Sequence, residues 1–367
     1  MRVILTLALM SIFLQTVAPV GAQETDPCEG LAPTRLDNQS FAVNADDLPS
    51  TIRVEPRFSS TVVASVPPGE VMRLQYRNVC ANGSRWEFVA YDGETGWVDE
   101  ANAWHYSLEP YVLPEPVVVS EGMDGQTRVM TVPLNFTVPA DFANVVTMQP
   151  RIGTNDRQAM RAFPNYTQYV LSRHAEGAEP VVVGTIDVYP APSWARYGTH
   201  IENEMRRLRG YMDYHLPLPL AESETGERLA VPDLPAGGAA QVFSAAQRYV
   251  NMQNGPGFRF LAHYAQATGE IPNTLTYRFE GIQYDGDLFV SAAFPVAIPA
   301  ETLPFFDPQA HSAAGDSEGP INDYYRAYLD DVIASINALD DDEVTPDLSI
   351  LDSIFVSMST TSPEPEA

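Results

Sequence analysis

Arg206, Arg207 and Arg209 stand within four residues of one another in a chain with 48 acidic and 21 basic side chains, so they form a local positive spot. Such a spot binds an anion or pairs with neighbouring carboxylates, and so acidic a composition favours the pairing. The six histidines, His105, His174, His200, His215, His263 and His311, show no H-E-x-x-H or H-x-H spacing of the kind a zinc site uses. His200 and Glu204 lie one helical turn apart, with His215 as a third ligand, and make the best metal candidate; a capped surface helix produces that spacing by chance. The expectation is therefore that neither metal nor cofactor is bound. Asp340 to Glu343 offers four adjacent carboxylates without the Asx-Gly alternation of a calcium loop, and reads as a solvated helix end. Glu202, Glu204 and Asp213 are paired acids of an ordinary exposed helix.

Nucleophiles are as sparse. A papain-like peptidase needs a cysteine beside a histidine, yet Cys28 and Cys80 both fall near the start of the chain. No G-x-S-x-G elbow, Ser-x-x-Lys pair, Walker loop or dinucleotide fingerprint occurs. An undescribed active site in the second half is conceivable around Arg259, His263, Tyr277 and Asp285, residues that read equally well as the alternating core and rim positions of strands.

The chain opens with Met1-Arg2, an apolar run from Val3, and the small-residue exit Val20-Gly21-Ala22. A run shorter than the roughly 20 residues that span a bilayer reads as a cleaved signal peptide, residues 1–22. Thr25-Asp26-Pro27 before Cys28 lacks the small-residue box of a bacterial lipoprotein, and no later segment is long and apolar enough to span a membrane. In an exported chain two lone thiols form a disulfide rather than a metal or redox pair, so Cys28 and Cys80 are expected to be joined. The net charge of −27 argues against nucleic acid or anionic lipid as a partner.

These residues are carried by two kinds of segment. Residues 23–110 alternate short apolar runs with turn signals: strands at Ile52 to Pro56, Thr61 to Val66, Val71 to Leu74, Trp86 to Val89 and Gly96 to Val98, and turns at Pro67-Pro68-Gly69, Ala81 to Ser84 and Tyr91 to Glu94. Residues 111–126 read as a proline-stiffened linker with one extended piece. Beyond it come strands at Arg128 to Val132, Leu134 to Val138, Tyr166 to Ser172 and Val181 to Tyr189. Thr199-His200-Ile201-Glu202 is a capping box for a helix whose inner face is Ile201, Met205, Leu208 and Met212, ended by Pro217 and Pro219. A second helix is expected with Val242, Ala246, Tyr249 and Val250 inward, after a crossing loop that ends at Gly237-Gly238. Phe258 to Tyr264 is a strand, and Leu275 to Val296 a hairpin around a type I′ turn at Asp285-Gly286, where Asp287 also sits. Helical spacing returns at Ile321, Tyr325, Tyr328, Leu329, Val332, Ile336 and Leu339. A last helix is expected to start at Thr345-Pro346, with Leu348, Leu351, Phe355 and Met358 inward. Residues 359–367 read as a disordered tail.

The order Arg53-x-x-Pro56, Ser59-Ser60, Val62-Val63, Pro68-Gly69, Cys80, Trp86 and Gly93-x-x-Gly96-Trp97-Val98 resembles a bacterial SH3-like (SH3b) domain. The resemblance implies a five- or six-strand barrel that targets or binds ligands in exported and wall-associated proteins, with Trp86 and Trp97 in its core. Trp104, His105 and Tyr106 follow as aromatics expected to pack on the next domain; Tyr91, Trp104 and Tyr106 are the ligand-binding candidates. The stretch Val242 to Pro304, through Gly257 to Leu261, Tyr264-Ala265-Gln266, Ile271-Pro272-Asn273, the Gly281 to Gly286 turn and Phe294-Pro295-Val296, resembles a domain of exported bacterial proteins that follows an SH3-like module. It implies architecture and no activity. More loosely, a strand-rich sheet with a late helix resembles the PsbP-type α/β sandwich. The expected protein is thus multidomain: an all-β SH3-like barrel at 23–110 and an α+β domain at 127–358, an antiparallel sheet packed by helices. Its expected role is that of a secreted or envelope-associated bacterial binding protein or adaptor for a cell-wall peptide or envelope protein. An extracytoplasmic enzyme, or a structural or oligomerisation protein, is the alternative.

Overall fold

The computed structural model describes residues 26–131, 133–156, 161–197, 199–216, 231–232, 234, 239–314 and 322–360. Residues 1–22, read as a signal peptide, Val132, Pro217, Pro219, Gly237-Gly238, Ile321 and residues 361–367 lie outside the described residues, whereas Ser359 and Thr360, read as the start of a disordered tail, form a paired strand. The protein is mostly β, its sheets antiparallel, with helices gathered in the C-terminal half. No described helix is long and apolar enough to cross a membrane.

Strands β1 (Phe41–Asn44), β2 (Ser50–Arg53), β3 (Val62–Val66), β4 (Val71–Ala81), β5 (Ser84–Tyr91), β6 (Glu94–Ala101) and β7 (Leu108–Pro110) form a seven-stranded sheet in the order β3-β2-β6-β5-β4-β1-β7. Ala42, Ile52, Val66, Met72, Leu74, Val89, Val98 and Leu108, drawn from all seven strands, meet in one core, so the sheet curls on itself. The expected five- or six-strand barrel is therefore corrected to a seven-stranded sheet that stays open, since among the described residues β3 pairs only with β2 and β7 only with β1. Cys28 and Cys80 are joined, their Cα atoms 5.2 Å apart, which ties the start of the described chain to β4. Trp86 is fully buried as expected. Trp97 is not a core residue: strand alternation puts it half-buried on the other side, its ring 5.2 Å from that of its cross-strand neighbour Phe88, with Arg77 over both rings.

The chain continues through β8 (Val117–Val118), β9 (Ser120–Met123), β10 (Gln126–Met130), β11 (Leu134–Pro139), β12 (Val145–Arg151), the small hairpin β13 (Thr154–Asp156) and β14 (Arg161–Phe163), β15 (Tyr166–Arg173) and β16 (Val181–Pro190). A 3-10 turn, Ala191–Tyr197, leads into α1 (Thr199–Tyr214). Then come β17 (Ala240–Tyr249), β18 (Gly257–Ala265), β19 (Thr274–Ile282), β20 (Leu288–Ala297), α2 (Pro308–Ala313), α3 (Asp323–Asn337), α4 (Leu348–Val356) and β21 (Ser359–Thr360). The segment read as a linker thus holds two paired strands, β8 on β12 and β9 on β10.

The large sheet runs β17-β18-β19-β20-β16-β15-β12-β8. One face carries Tyr169, Leu171, Ile186, Tyr277, Phe279 and Phe294 against α3, α4 and the four-stranded sheet β21-β11-β10-β9. Phe355 of α4 stacks on Phe279 at 3.7 Å between ring centroids, anchoring that helix. Gly184 leaves room for Phe294: a Cβ there would lie 2.0 Å from its Cδ1. The opposite face carries Tyr189, Phe258, Phe260 and Phe289 against α1, whose Ile201, Met205, Leu208 and Met212 point inward as the spacing predicts.

Three further expectations are corrected. Val242 to Tyr249 is no helix but part of the edge strand β17, on which only Phe243 and Ala245 are buried, with Val250 buried just beyond it. Bulges between Gln241 and Phe243 and between Ala245 and Arg248, with Ala246 at φ 48°, break the twofold alternation and give the apolar residues a helix-like spacing. The hairpin turn spans Gln283 to Asp287, and of Asp285-Gly286 only Gly286 has positive φ, so it is not type I′. The last helix starts at Leu348, its first turn capped by the Asp347 carboxylate accepting from Ser349 N at 2.8 Å, with Pro346 still outside it.

Candidate functional site

After β6 the chain makes a tight loop whose shape is set by one side chain. Asn102 Oδ1 accepts hydrogen bonds from the backbone amides of Trp104 (2.9 Å) and His105 (3.0 Å), and Asn102 N donates to the His105 carbonyl at 3.0 Å. Held this way, Trp104 is 95% exposed rather than packed on the next domain as expected. Its neighbours are fixed too. Tyr106 Oη donates to the Pro33 carbonyl at 2.7 Å, the Arg35 guanidinium lies 3.7 Å over the Tyr106 ring, and His105 Nε2 meets Asp46 Oδ1. Tyr91 is not brought here. It sits at the far end of the β5–β6 hairpin, on the order of 20 Å away along an eight-residue strand. There it lines a narrow cleft with Ile152, Gly153, Asn165 and Tyr197, close to where Arg73 donates to the Ile152 and Gly153 carbonyls at 3.0 and 3.1 Å.

Beneath this surface two carboxyls share a buried place. Glu100 is fully buried and accepts from Thr34 Oγ1 (2.7 Å) and Arg35 N (3.0 Å). Burial first, then the charge and hydrogen bond of Glu100, push Glu87 up to about 8, while Arg85 pulls it down and Asp37 adds to the rise. Because the folded value lies above the unfolded one, the native state holds a proton that the unfolded chain releases. Stability is therefore full below about pH 4.5 and is lost as pH rises through about 8. Glu87→Gln is expected to be the more stable protein at pH 9, by about 2 kcal/mol after allowance for solvent screening. Its thermal midpoint should also vary less between pH 5 and pH 9, and an unchanged pH profile would show that the pair does not share a proton.

In the large sheet, Arg259 and Tyr277 do come together, through Asp341, expected in a solvated helix end, and Asp352. Tyr277 Oη donates to Asp352 Oδ1 at 2.8 Å, Arg259 Nη2 to Asp341 Oδ1 at 2.7 Å, and Arg248 Nη1 to Asp341 Oδ2 at 2.5 Å. Arg259 is 2% exposed. Burial raises the Asp352 carboxyl and Arg259 opposes the rise. Asp341 is therefore an ion-pair partner and not part of a solvated helix end; only Asp340 and Glu343 form the capping box of a 3-10 turn. Asp285 stays in its hairpin turn, accepting from Gln283 Nε2 and Asp287 N, and takes no part. His263 sits two positions past Leu261 on β18, its pKa lowered by burial.

On the other face of the same sheet, Gln149, Gln168, Asp187, Ser291 and Glu280 stand opposite one another across five adjacent strands. Arg151 donates to Gln168 Oε1 (2.7 Å), Gln168 Nε2 to Asp187 Oδ1 (2.9 Å), and Arg278 Nη2 to Glu280 Oε1 (2.8 Å) and Ser291 Oγ (3.0 Å). Burial raises Asp187, and Tyr166 is pushed up to about 12 by burial and by Asp187. Two arginines and two carboxylates cancel, leaving a neutral polar stripe. Nothing local signals it, because each member occupies the polar position of an alternating strand.

Among the described residues no group of three or more His, Cys, Asp or Glu is placed to hold a metal. Glu204 is paired with Arg207 at 2.8 Å, and His215 rests on the Tyr249 ring at 4.6 Å between centroids; the His200 side chain lies outside the described residues. Arg206 pairs with Glu202 at 3.0 Å, so two of the three clustered arginines are internally neutralised, whereas Arg209 donates to the Gly286 carbonyl at 3.2 Å. Compared with protein families and with curated proteins, the chain matches none.

Proposed function

We propose that the protein is an extracytoplasmic, non-enzymatic adaptor whose N-terminal sheet is an SH3-like module that binds a cell-wall peptide or envelope protein. The observation that carries the reading is Trp104: a tryptophan 95% exposed on a loop locked by Asn102, beside the fixed Tyr106–Arg35 stack. Tryptophan, tyrosine and arginine dominate the energetics of protein interfaces, and a prepositioned anchor loses little entropy on binding. The Cys28–Cys80 disulfide agrees with an oxidising compartment outside the cytoplasm. In the second half, Arg259 is paired with Asp341 on one sheet face and Arg278 with Glu280 on the other, which favours a scaffold over a reactive centre.

The test is co-sedimentation of the full mature chain with purified peptidoglycan and with envelope extract. Trp104→Ala is expected to weaken retention about tenfold or more, the loss typical of an interface anchor, with an unchanged thermal midpoint. Tyr91→Phe, remote from the loop, should bind like the parent. Retention that survives Trp104→Ala would remove the loop as the binding surface.

A further inference from the structure

Between the Ala191–Tyr197 turn and α1 lies a cleft of ≈ 270 Å³, close to the lower end of small-molecule sites. Ala191, Pro192, Trp194 and Met205 form an apolar wall, and Glu202, Arg206 and Arg209 the rim. Trp194 is 1% exposed, its indole N–H shielded from solvent and without a hydrogen-bond acceptor among the described residues. The Arg206–Glu202 pair is mostly solvated, with side chains 68% and 49% exposed, so it opens to a competing anion at little expense. Arg209 meets no carboxylate among the described residues; its recorded bond is to the Gly286 carbonyl.

We propose that this cleft binds a small amphiphilic monocarboxylate. The head lies between Arg206 and Arg209, while the apolar body lies along Pro192, Trp194 and Met205. With Glu202 counted, the rim carries one net positive charge, which suits a single negative charge and disfavours a dianion. A guanidinium fork matches the planar carboxylate, and the apolar wall supplies the remaining attraction. The site stands independently of the Trp104 surface.

The experiment is a titration of the ¹⁵N-labelled full mature chain with sodium octanoate, following the assigned Trp194 indole N–H resonance. A saturable shift is expected, because the Trp194 ring lines the cleft, with the midpoint raised about tenfold in Arg209→Gln, as loss of a charge-assisted bond implies. Arg207→Gln should titrate like the parent, because Arg207 is engaged with Glu204 and Tyr211 outside the cleft. No saturable shift, an equal response to octanamide or inorganic phosphate, or an unaffected Arg209→Gln variant that retains the parent's remaining spectrum would each overturn the proposal.

Discussion

Asp352→Ala is expected to lower the stability of the folded protein by about 3–5 kcal/mol, read as an earlier midpoint in urea at an unchanged slope. The reason lies in the register of β17 and β18, which sets Arg248 directly opposite Arg259. Two guanidiniums side by side, one of them 2% exposed, repel each other unless anions are placed between them. The chain supplies both anions late: Asp341 from the turn after α3, and Asp352 from α4. Without the Asp352 carboxylate, the Tyr277 hydroxyl loses its acceptor and Arg259 loses half of its counter-charge inside the protein. Asp352→Asn keeps an acceptor for Tyr277 and should fall between the parent and the alanine variant. A cost for Asp352→Ala within about 0.5 kcal/mol, the scale of an ordinary surface change, would show that the pairing contributes nothing to holding α4 on the sheet.

Removing the disulfide ranks next in size. Cys28 and Cys80 are 52 positions apart, and opening a loop of that length returns about 4 kcal/mol of chain entropy to the unfolded state in the loop-closure account. Cys28→Ser/Cys80→Ser is expected to shift the unfolding of the N-terminal sheet by that amount, with tryptophan fluorescence reporting through buried Trp86. The parent under strong reductant should behave as the double variant does. Equal midpoints for parent and double variant, with the bond chemically verified in the parent, would mean that the cross-link does not restrain the unfolded chain.

Much of the architecture was legible from periodicity. The β18 to β20 strands, the inner faces of α1, α3 and α4, and the pairing of two lone cysteines all follow from alternation, helical spacing and compartment. What failed did so for local reasons. The two bulges of β17 counterfeit a helical pattern, and β1, β7 and β12 lack a bounded apolar run of their own. The ion pairs were hidden differently: Arg259 and Asp341 are 82 residues apart, and nothing local in either stretch names the other. The polar stripe was invisible because strand alternation assigns Gln168, Asp187, Arg278 and Glu280 to solvent, whereas a second layer, α1 with Val231 and Leu234, covers part of that side. Trp104 is legible as an aromatic but not as an exposed one; its exposure depends on the side-chain-to-backbone bonds of Asn102, which composition does not reveal.

The bulged rim of the large sheet governs how the protein tolerates crowding among its own copies. At Ala246 the amide that a neighbouring strand would seek is already spent on Asn337 Oδ1 at 2.7 Å, and the kinked backbone presents no straight row of donors. The opposite rim, β8, is two residues long. Neither border of the sheet therefore offers a template for cross-β growth, and a chain so rich in extended structure can be kept at high concentration without zipping into fibrils along these borders.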